Sequence, residues 1–200
     1  MSLTVDYYFA PNSPWTYLGH ARLVSITAAA GAPVRVLPID LGRVFPVSGG
    51  LPLAKRAPQR QAYRLVELER FRQALGLPLK LQPRFFPVAS DDAARLIVAV
   101  DQADGADAAL GLAGAVLRAV WAEDRNIADA GVLAALLDER GLPADRLAAS
   151  KGDAVRQRYD ANTEEAIAIG VFGSPSYVID GELFWGQDRL DFVERRLAKG

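Results

Sequence analysis

The chain has 200 residues, with 23 Lys+Arg against 24 Asp+Glu and a net charge of −1. That length suits one domain with room for an insertion, able to bury a core without covalent staples. Balanced charge argues against nucleic acid as a partner. Zero cysteines and one histidine exclude disulfides, thiolate chemistry and multi-histidine zinc sites, and leave no basis for a serine–histidine triad beyond His20.

Residues 1–9 carry no basic and then apolar leader, and no run of 18 apolar residues occurs, so the expected setting is cytoplasmic, with no membrane partner. Val5 to Phe9 is β-branched and aromatic and predicts a strand. Ala10 to Asn12 is a loop. Ser13-Pro14 predicts a helix start, because Ser caps and Pro lacks only an N–H that the first turn does not use. The apolar face Trp15, Tyr17, Leu18, Leu23, Ile26 follows, and Gly31 ends it. Val34 to Ile39 predicts a second strand, parallel to the first through a right-handed crossover. Leu41 to Pro58, rich in Gly and Pro, predicts a long loop.

Helical periodicity returns from Gln59 to Leu75, closed by Gly76. A Pro-rich connection runs from Pro78 to Pro87. Ala93 to Ala103 and Ala109 to Trp121 predict helices parted by Gly105. Asp129 predicts the cap of a helix reaching Arg140, followed by a short helix near Ala144 to Ala149 and a longer one from Asp153 to Ile169. Ser176 to Ile179 and Glu182 to Trp185, joined by Asp180-Gly181, predict a hairpin. Arg189 to Leu197 predicts a last amphipathic helix capped by Asp188. The order βαβ, helical block, ββα predicts an α/β chain: a four-stranded mixed sheet of thioredoxin-like topology. Residues 1–58 and 171–200 form the thioredoxin-like part and residues 59–170 a helical insertion.

In such a topology the loop after the first strand leads into a helix N-terminus, where redox proteins place two cysteines. Ser13-Pro14-Trp15-Thr16 puts hydroxyls at both sulfur positions, so disulfide exchange is impossible for this chain. The site can still favour a thiolate brought by another molecule. A free thiol titrates near about 8.5, and lowering that by about 2 units requires about 2.7 kcal/mol. Ser174-Pro175, directly before the hairpin, is where this topology carries a cis-proline, whose preceding backbone can pair with a peptide-like ligand, or it is an ordinary turn proline. Gln187 and Asp188 offer an amide and a carboxylate for an ammonium group, or a plain helix cap. Arg60 and Lys55 offer a carboxylate site, or a solvated helix face. His20 reads as a helix-surface or packing residue. Trp15, Tyr17, Phe45 and Trp185 read as pocket walls or as core.

Two segments together carry a family resemblance. Val5-Asp6-Tyr7-Tyr8-Phe9 with Ser13-Pro14-Trp15-Thr16-Tyr17-Leu18-Gly19, and Gly170-Val171-Phe172-Gly173-Ser174-Pro175-Ser176 with Phe184-Trp185-Gly186-Gln187-Asp188-Arg189-Leu190, resemble the 2-hydroxychromene-2-carboxylate isomerases and kappa-class glutathione transferases. Tyr63 through Leu77 is similar as well. The resemblance implies a DsbA-like thioredoxin fold and a glutathione-binding homodimer. Ser13 would be the catalytic serine beside the glutathione sulfur. Ser174 and Pro175 would make the backbone contact, Gln187 and Asp188 would grip the γ-glutamyl end, and Arg60 would lie near the glycyl carboxylate. Trp15, Phe45 and Gly50 would wall the substrate pocket. Where many members carry Lys and Asn, this chain has Pro46 and Gly50.

The resemblance implies a glutathione-dependent isomerase acting on a small aromatic-derived carboxylate. A thiolate adds to the unsaturated substrate, the ring opens, a bond rotates and the thiol leaves. A transferase, in which the adduct departs as product, uses the same thiolate site. A redox-inert binding module presenting the Ser174-Pro175 edge is the alternative outside enzymes.

Overall fold

The computed structural model describes residues 3–199; Met1, Ser2 and Gly200, the outer ends of the two predicted thioredoxin-like segments, lie outside the described residues. Four strands, β1 (Val5–Phe9), β2 (Val34–Pro38), β3 (Ser176–Ile179) and β4 (Glu182–Trp185), form one sheet in the order β2-β1-β3-β4. β1 and β2 run parallel, with Val5 opposite Val34 and Phe9 opposite Pro38. β3 lies antiparallel to β1, and β4 to β3. The hairpin turns through Asp180 and Gly181, both at positive φ, as an Asp-Gly turn requires.

Alternation along β1 divides the core. Tyr7 and Phe9 join Tyr177, Ile179 and Phe184 on the face covered by α1 (Pro14–Ala30) and the helical block. Tyr8, Leu37 and Val178 face the other way, toward α2 (Leu41–Ser48) and α8 (Asp153–Ala168). The block itself is α3 (Pro58–Leu75), α4 (Asp91–Asp104), α5 (Ala106–Trp121), α6 (Ala130–Glu139), the short α7 (Arg146–Ala149) and α8. The chain closes with α9 (Leu190–Leu197). Leu96, Ile97, Leu112, Val116 and Trp121 are fully buried where α4 and α5 meet the sheet.

The predicted loop from Leu41 to Pro58 is a correction. Asp40 accepts from the Gly42 N–H at 2.7 Å and caps α2, which ends at Gly49 with φ 76°. Leu53–Lys55 forms a further 3-10 turn. Pro46 lies inside α2 and forfeits one backbone bond, which a two-turn helix tolerates because Val44 is buried against Ile39 and Val171. The last helix is a second correction. Gln187–Arg189 is a 3-10 turn, α9 starts at Leu190, and Asp188 caps nothing; it pairs with Arg189 at 2.8 Å. α4 and α5 start two and three residues ahead of their predicted first turns, meeting at Gly105, whose φ of 89° breaks the helix.

His20 is a packing residue of the interior. Its Nε2 lies 3.0 Å from the Leu110 carbonyl, which can only accept, so Nε2 carries the proton and Nδ1 accepts from the Tyr7 hydroxyl at 3.2 Å. Burial pushes its pKa down to about 4, against a smaller upward pull from the Leu110 carbonyl. The folded state therefore binds fewer protons here than the unfolded chain. The stability this confers is complete above pH 6.5 and is lost as pH falls toward 4. Urea melts should show about 2 kcal/mol lost between pH 7.5 and pH 5 from this group. His20→Gln, though weaker at neutral pH, should lack that increment; an unchanged difference would assign it elsewhere.

Candidate active site

The turn between β1 and α1 is built around Ser13. Its backbone is extended (φ −80°, ψ 127°), its Oγ accepts the Thr16 N–H at 3.3 Å, and Pro14 fills the first helical position. That is an N-cap, and it sets a hydroxyl at the positive end of a 17-residue helix. Seventeen residues on, Gly31 ends the helix in the left-handed conformation, donating to Ala28 and Thr27 carbonyls.

Facing this turn is the segment before β3. The Ser174–Pro175 peptide is cis, the alternative to an ordinary turn proline that the topology offered at that place. The Ser174 hydroxyl is the hub of the site. It accepts the Ala10 N–H at 2.8 Å and shares a 2.8 Å bond with the Thr16 hydroxyl. The Ser13 hydroxyl reaches the Ser174 carbonyl at 3.4 Å. Ser13, Thr16 and Ser174 are all buried. Ser176 Oγ donates to the Gly173 carbonyl at 2.8 Å, and the Gly186 N–H donates to the Pro175 carbonyl at 2.9 Å, so the hairpin return is tied to the same turn.

Gln187 packs against α1 at Gly19, six residues beyond Ser13. It is buried, its Nε2 has no hydrogen-bond partner, and its Cβ lies 2.8 Å from where Gly19 would carry one. Only glycine at 19 lets the 3-10 turn approach α1 so closely. Asp188 is exposed and held by Arg189. Trp15 is half-buried and meets Phe71 edge-on, with 6.1 Å between ring centroids. Phe45 and Gly50 pack on one another: a Cβ at 50 would strike the Phe45 ring. Arg60 is exposed on the first turns of α3, and no ion pair joins it to another described residue. Thus Ser13, Thr16 and Ser174, with Pro175 next to it, form one buried hydrogen-bonded group, Gln187 packs farther along α1 at Gly19, and Phe45 with Gly50, and Arg60, lie outside that group.

Three features were not read from the sequence. Ser174 was singled out for its backbone, yet its side chain ties the two turns together. Asn12 Nδ2 donates to the Val88 carbonyl at 2.9 Å, fastening the Ser13 loop to the Pro-rich connection. The Phe86–Pro87 peptide is cis, and Phe86 lies against Trp121 at 4.7 Å between centroids. Pro83 and Pro87 flanking an aromatic pair were the available signal. Two open hollows, of about 380 and 790 Å³, lie along α1 and α5 and include none of these residues except His20.

The arrangement is a hydroxyl-lined turn at a helix start, opposite a cis-proline, with cysteine replaced by serine and threonine. Residues 4–198 match the family model of the DSBA-like thioredoxin domain. The 2-hydroxychromene-2-carboxylate isomerase of Pseudomonas putida is 33% identical over 98% of this chain and 95% of its own length. That of Pseudomonas sp. strain C18 is 34% identical over 97% and 90%. The solved structure of an HCCA isomerase, at 29% identity, superposes with a TM-score of 0.82 over 98% of this chain and 95% of that one. The cytosolic disulfide reductase DsbM of Pseudomonas aeruginosa, at 21% identity, shares the fold with a TM-score of 0.72 over 99% of this chain and 100% of that one. The chain belongs to the 2-hydroxychromene-2-carboxylate isomerase family of DsbA-like thioredoxin proteins.

Ser174→Ala should cost about 1–3 kcal/mol in chemical melts, because it strands the buried Ala10 N–H. Ser13→Ala should cost only about 1 kcal/mol, the value of one cap. A Ser13 penalty equal to or above that of Ser174 would contradict the hub.

Proposed function

We propose that this chain is a glutathione-dependent isomerase of the 2-hydroxychromene-2-carboxylate type. The observation that carries the reading is the Ser13 hydroxyl, set at the start of α1 beside the carbonyl that precedes the cis-proline. Relatives aligned over nearly the full chain bear the name of that isomerase.

Glutathione, when bound, supplies a thiolate that can add to an unsaturated substrate and leave again. The residues present fit such a ligand: the buried Gln187 Nε2 lacks a partner, and a peptide-like molecule offers carbonyls to fill that need. In this reading Ser174 and Pro175 hold the ligand backbone, Gln187 and Asp188 hold the γ-glutamyl end, and Arg60 holds the glycyl carboxylate. Asp188 exchanges Arg189 for an ammonium at little cost, because an exposed ion pair is worth about 0–1 kcal/mol.

Ser13 has the freedom to donate to sulfur. At 3.4 Å its bond to the Ser174 carbonyl is at the outer limit of hydrogen bonding, so turning the hydroxyl forfeits little. The Thr16 N–H stays on its oxygen and polarises the O–H. One hydrogen bond to an anion contributes about 1.5–3 kcal/mol and a helix start about 0.3–1 kcal/mol. Together they match the roughly 2.7 kcal/mol needed to bring a thiol from about 8.5 to about 6.5. Trp15, Phe45 and Gly50 supply apolar walls for an aromatic-derived substrate. A cytoplasmic homodimer belongs to the same reading, on the family resemblance.

Titration of glutathione into wild type and Ser13→Ala, followed by calorimetry and by thiolate absorbance near roughly 240 nm, tests it. Saturable binding is expected, with the thiol pKa lowered by about 2 units in wild type and by much less in the variant. Turnover of 2-hydroxychromene-2-carboxylate should leave the glutathione total unchanged. Absence of binding by wild type would sink the glutathione mechanism; stoichiometric loss of thiol would make the enzyme a transferase.

A further inference from the structure

Farther along α3, Arg70 and Arg72 pair with Glu67 and Glu69. The segment ahead of them is different. Residues 49–66 contain no Asp or Glu, yet beside Lys55 they carry three arginines, Arg56, Arg60 and Arg64. Among the described residues no carboxylate pairs with any of these three. They repel one another: burial and Arg60 lower the Arg56 pKa, and burial and Arg56 push that of Arg64 down to about 10.

Arg64 is the member held in place. Its guanidinium lies 5.2 Å from the Phe86 ring centroid and 5.6 Å from that of Trp121. Nη2 is buried and has no hydrogen-bond partner, while the charge centre is only partly buried. An arginine clamped on two aromatic faces keeps its planar fork oriented without spending it on an acid. An unpaired, partly desolvated guanidinium beside two more cations is costly unless an anion arrives.

The location ties this cation to the site. Phe86 stands two residues before Val88, whose carbonyl receives the Asn12 amide, and Asn12 precedes Ser13. Phe86, one of the two clamping rings, thus belongs to the connection that Asn12 fastens to the Ser13 turn, while Trp121 comes from the end of α5. Trp15, on the same turn, leans on Phe71 of α3, two helical turns beyond Arg64.

We propose that Arg64 binds the carboxylate of an aromatic substrate, with Phe86 orienting the guanidinium and Arg56 and Arg60 adding attraction. The inference deepens the isomerase reading and rests on it for the identity of the natural substrate. The anion site itself is tested without turnover.

Benzoate and its uncharged isostere benzamide are titrated calorimetrically into wild type, Arg64→Gln, Arg64→Lys and Arg140→Gln, the last removing a cation at the end of α6 that pairs with no carboxylate among the described residues. Wild type should prefer benzoate by about tenfold or more, the value of a charge-assisted pair. Arg64→Gln should abolish the preference, Arg64→Lys should keep part of it, and Arg140→Gln should keep all of it. Glutathione affinity should stay within about twofold in Arg64→Gln, since no contact with that ligand is lost. Thermal melts verify that each variant is folded; should Arg64→Gln not fold, wild type and Arg64→Lys still decide. Equal affinity of wild type for benzoate and benzamide overturns the proposal. So does a variant that loses glutathione and keeps benzoate, which would give Arg64 to the glycyl carboxylate. Benzoate preference in a wild type that ignores glutathione would uphold the anion site while removing the glutathione mechanism.

Discussion

The candidate site depends on where the Ser174 hydroxyl can find partners. Two chain turns far apart in sequence, one leaving β1 and one entering β3, each expose backbone polar groups inside the fold. A buried N–H with no acceptor costs about 1–3 kcal/mol, so the Ala10 amide has to be met. Ser174 meets it, bonds Thr16 with the same oxygen and offers its own carbonyl to Ser13. The hydroxyls at positions 13 and 16 therefore do structural duty where a redox protein would carry sulfur. This explains how a chain without cysteine keeps the two turns of the DsbA-like fold in place.

That geometry is held from both sides of the sheet. Tyr7, Phe9 and Tyr177 stack on one face, with Tyr7 centroids 4.5 Å from Phe9 and 5.6 Å from Tyr177. On the other face Arg35 joins Asp6 and Glu165 at 3.0 Å each, and Tyr8 donates to Glu165 at 2.8 Å. The strand that delivers Ser13 is thus anchored by aromatic packing above and an ionic network below. Burial makes the former the main source of stability, since partly exposed ion pairs contribute little.

Most of this was legible in the residues. Val5–Phe9, the Ser13-Pro14 start, the Gly31 stop and the Asp-Gly hairpin each follow from one local rule, and local rules survive folding when the core agrees with them. α2 escaped because Gly42, Pro46, Gly49 and Gly50 signal turns, whereas what forms it is the Asp40 cap and the burial of Val44, a tertiary effect. Asp188 was misread because an acid before an apolar period resembles a cap, while here the Gln187 turn docks on Gly19 and draws the backbone away from that role. At the candidate site, the turns that hold Ser13 and Ser174-Pro175 were legible through their places before α1 and before β3. The side-chain role of Ser174 and the clamp on Arg64 were not, because each depends on residues that only the fold brings together.

The Phe45–Gly50 contact has a consequence for how sequences of this family should be compared. The phenyl ring occupies the volume that any side chain at 50 would need, so the two positions constitute a single steric choice. A chain bearing asparagine at 50 must shrink or rotate residue 45, exchanging an apolar wall for an amide. Residues 45 and 50 are therefore best compared as a pair, because a change at one is a change in the space available to the other.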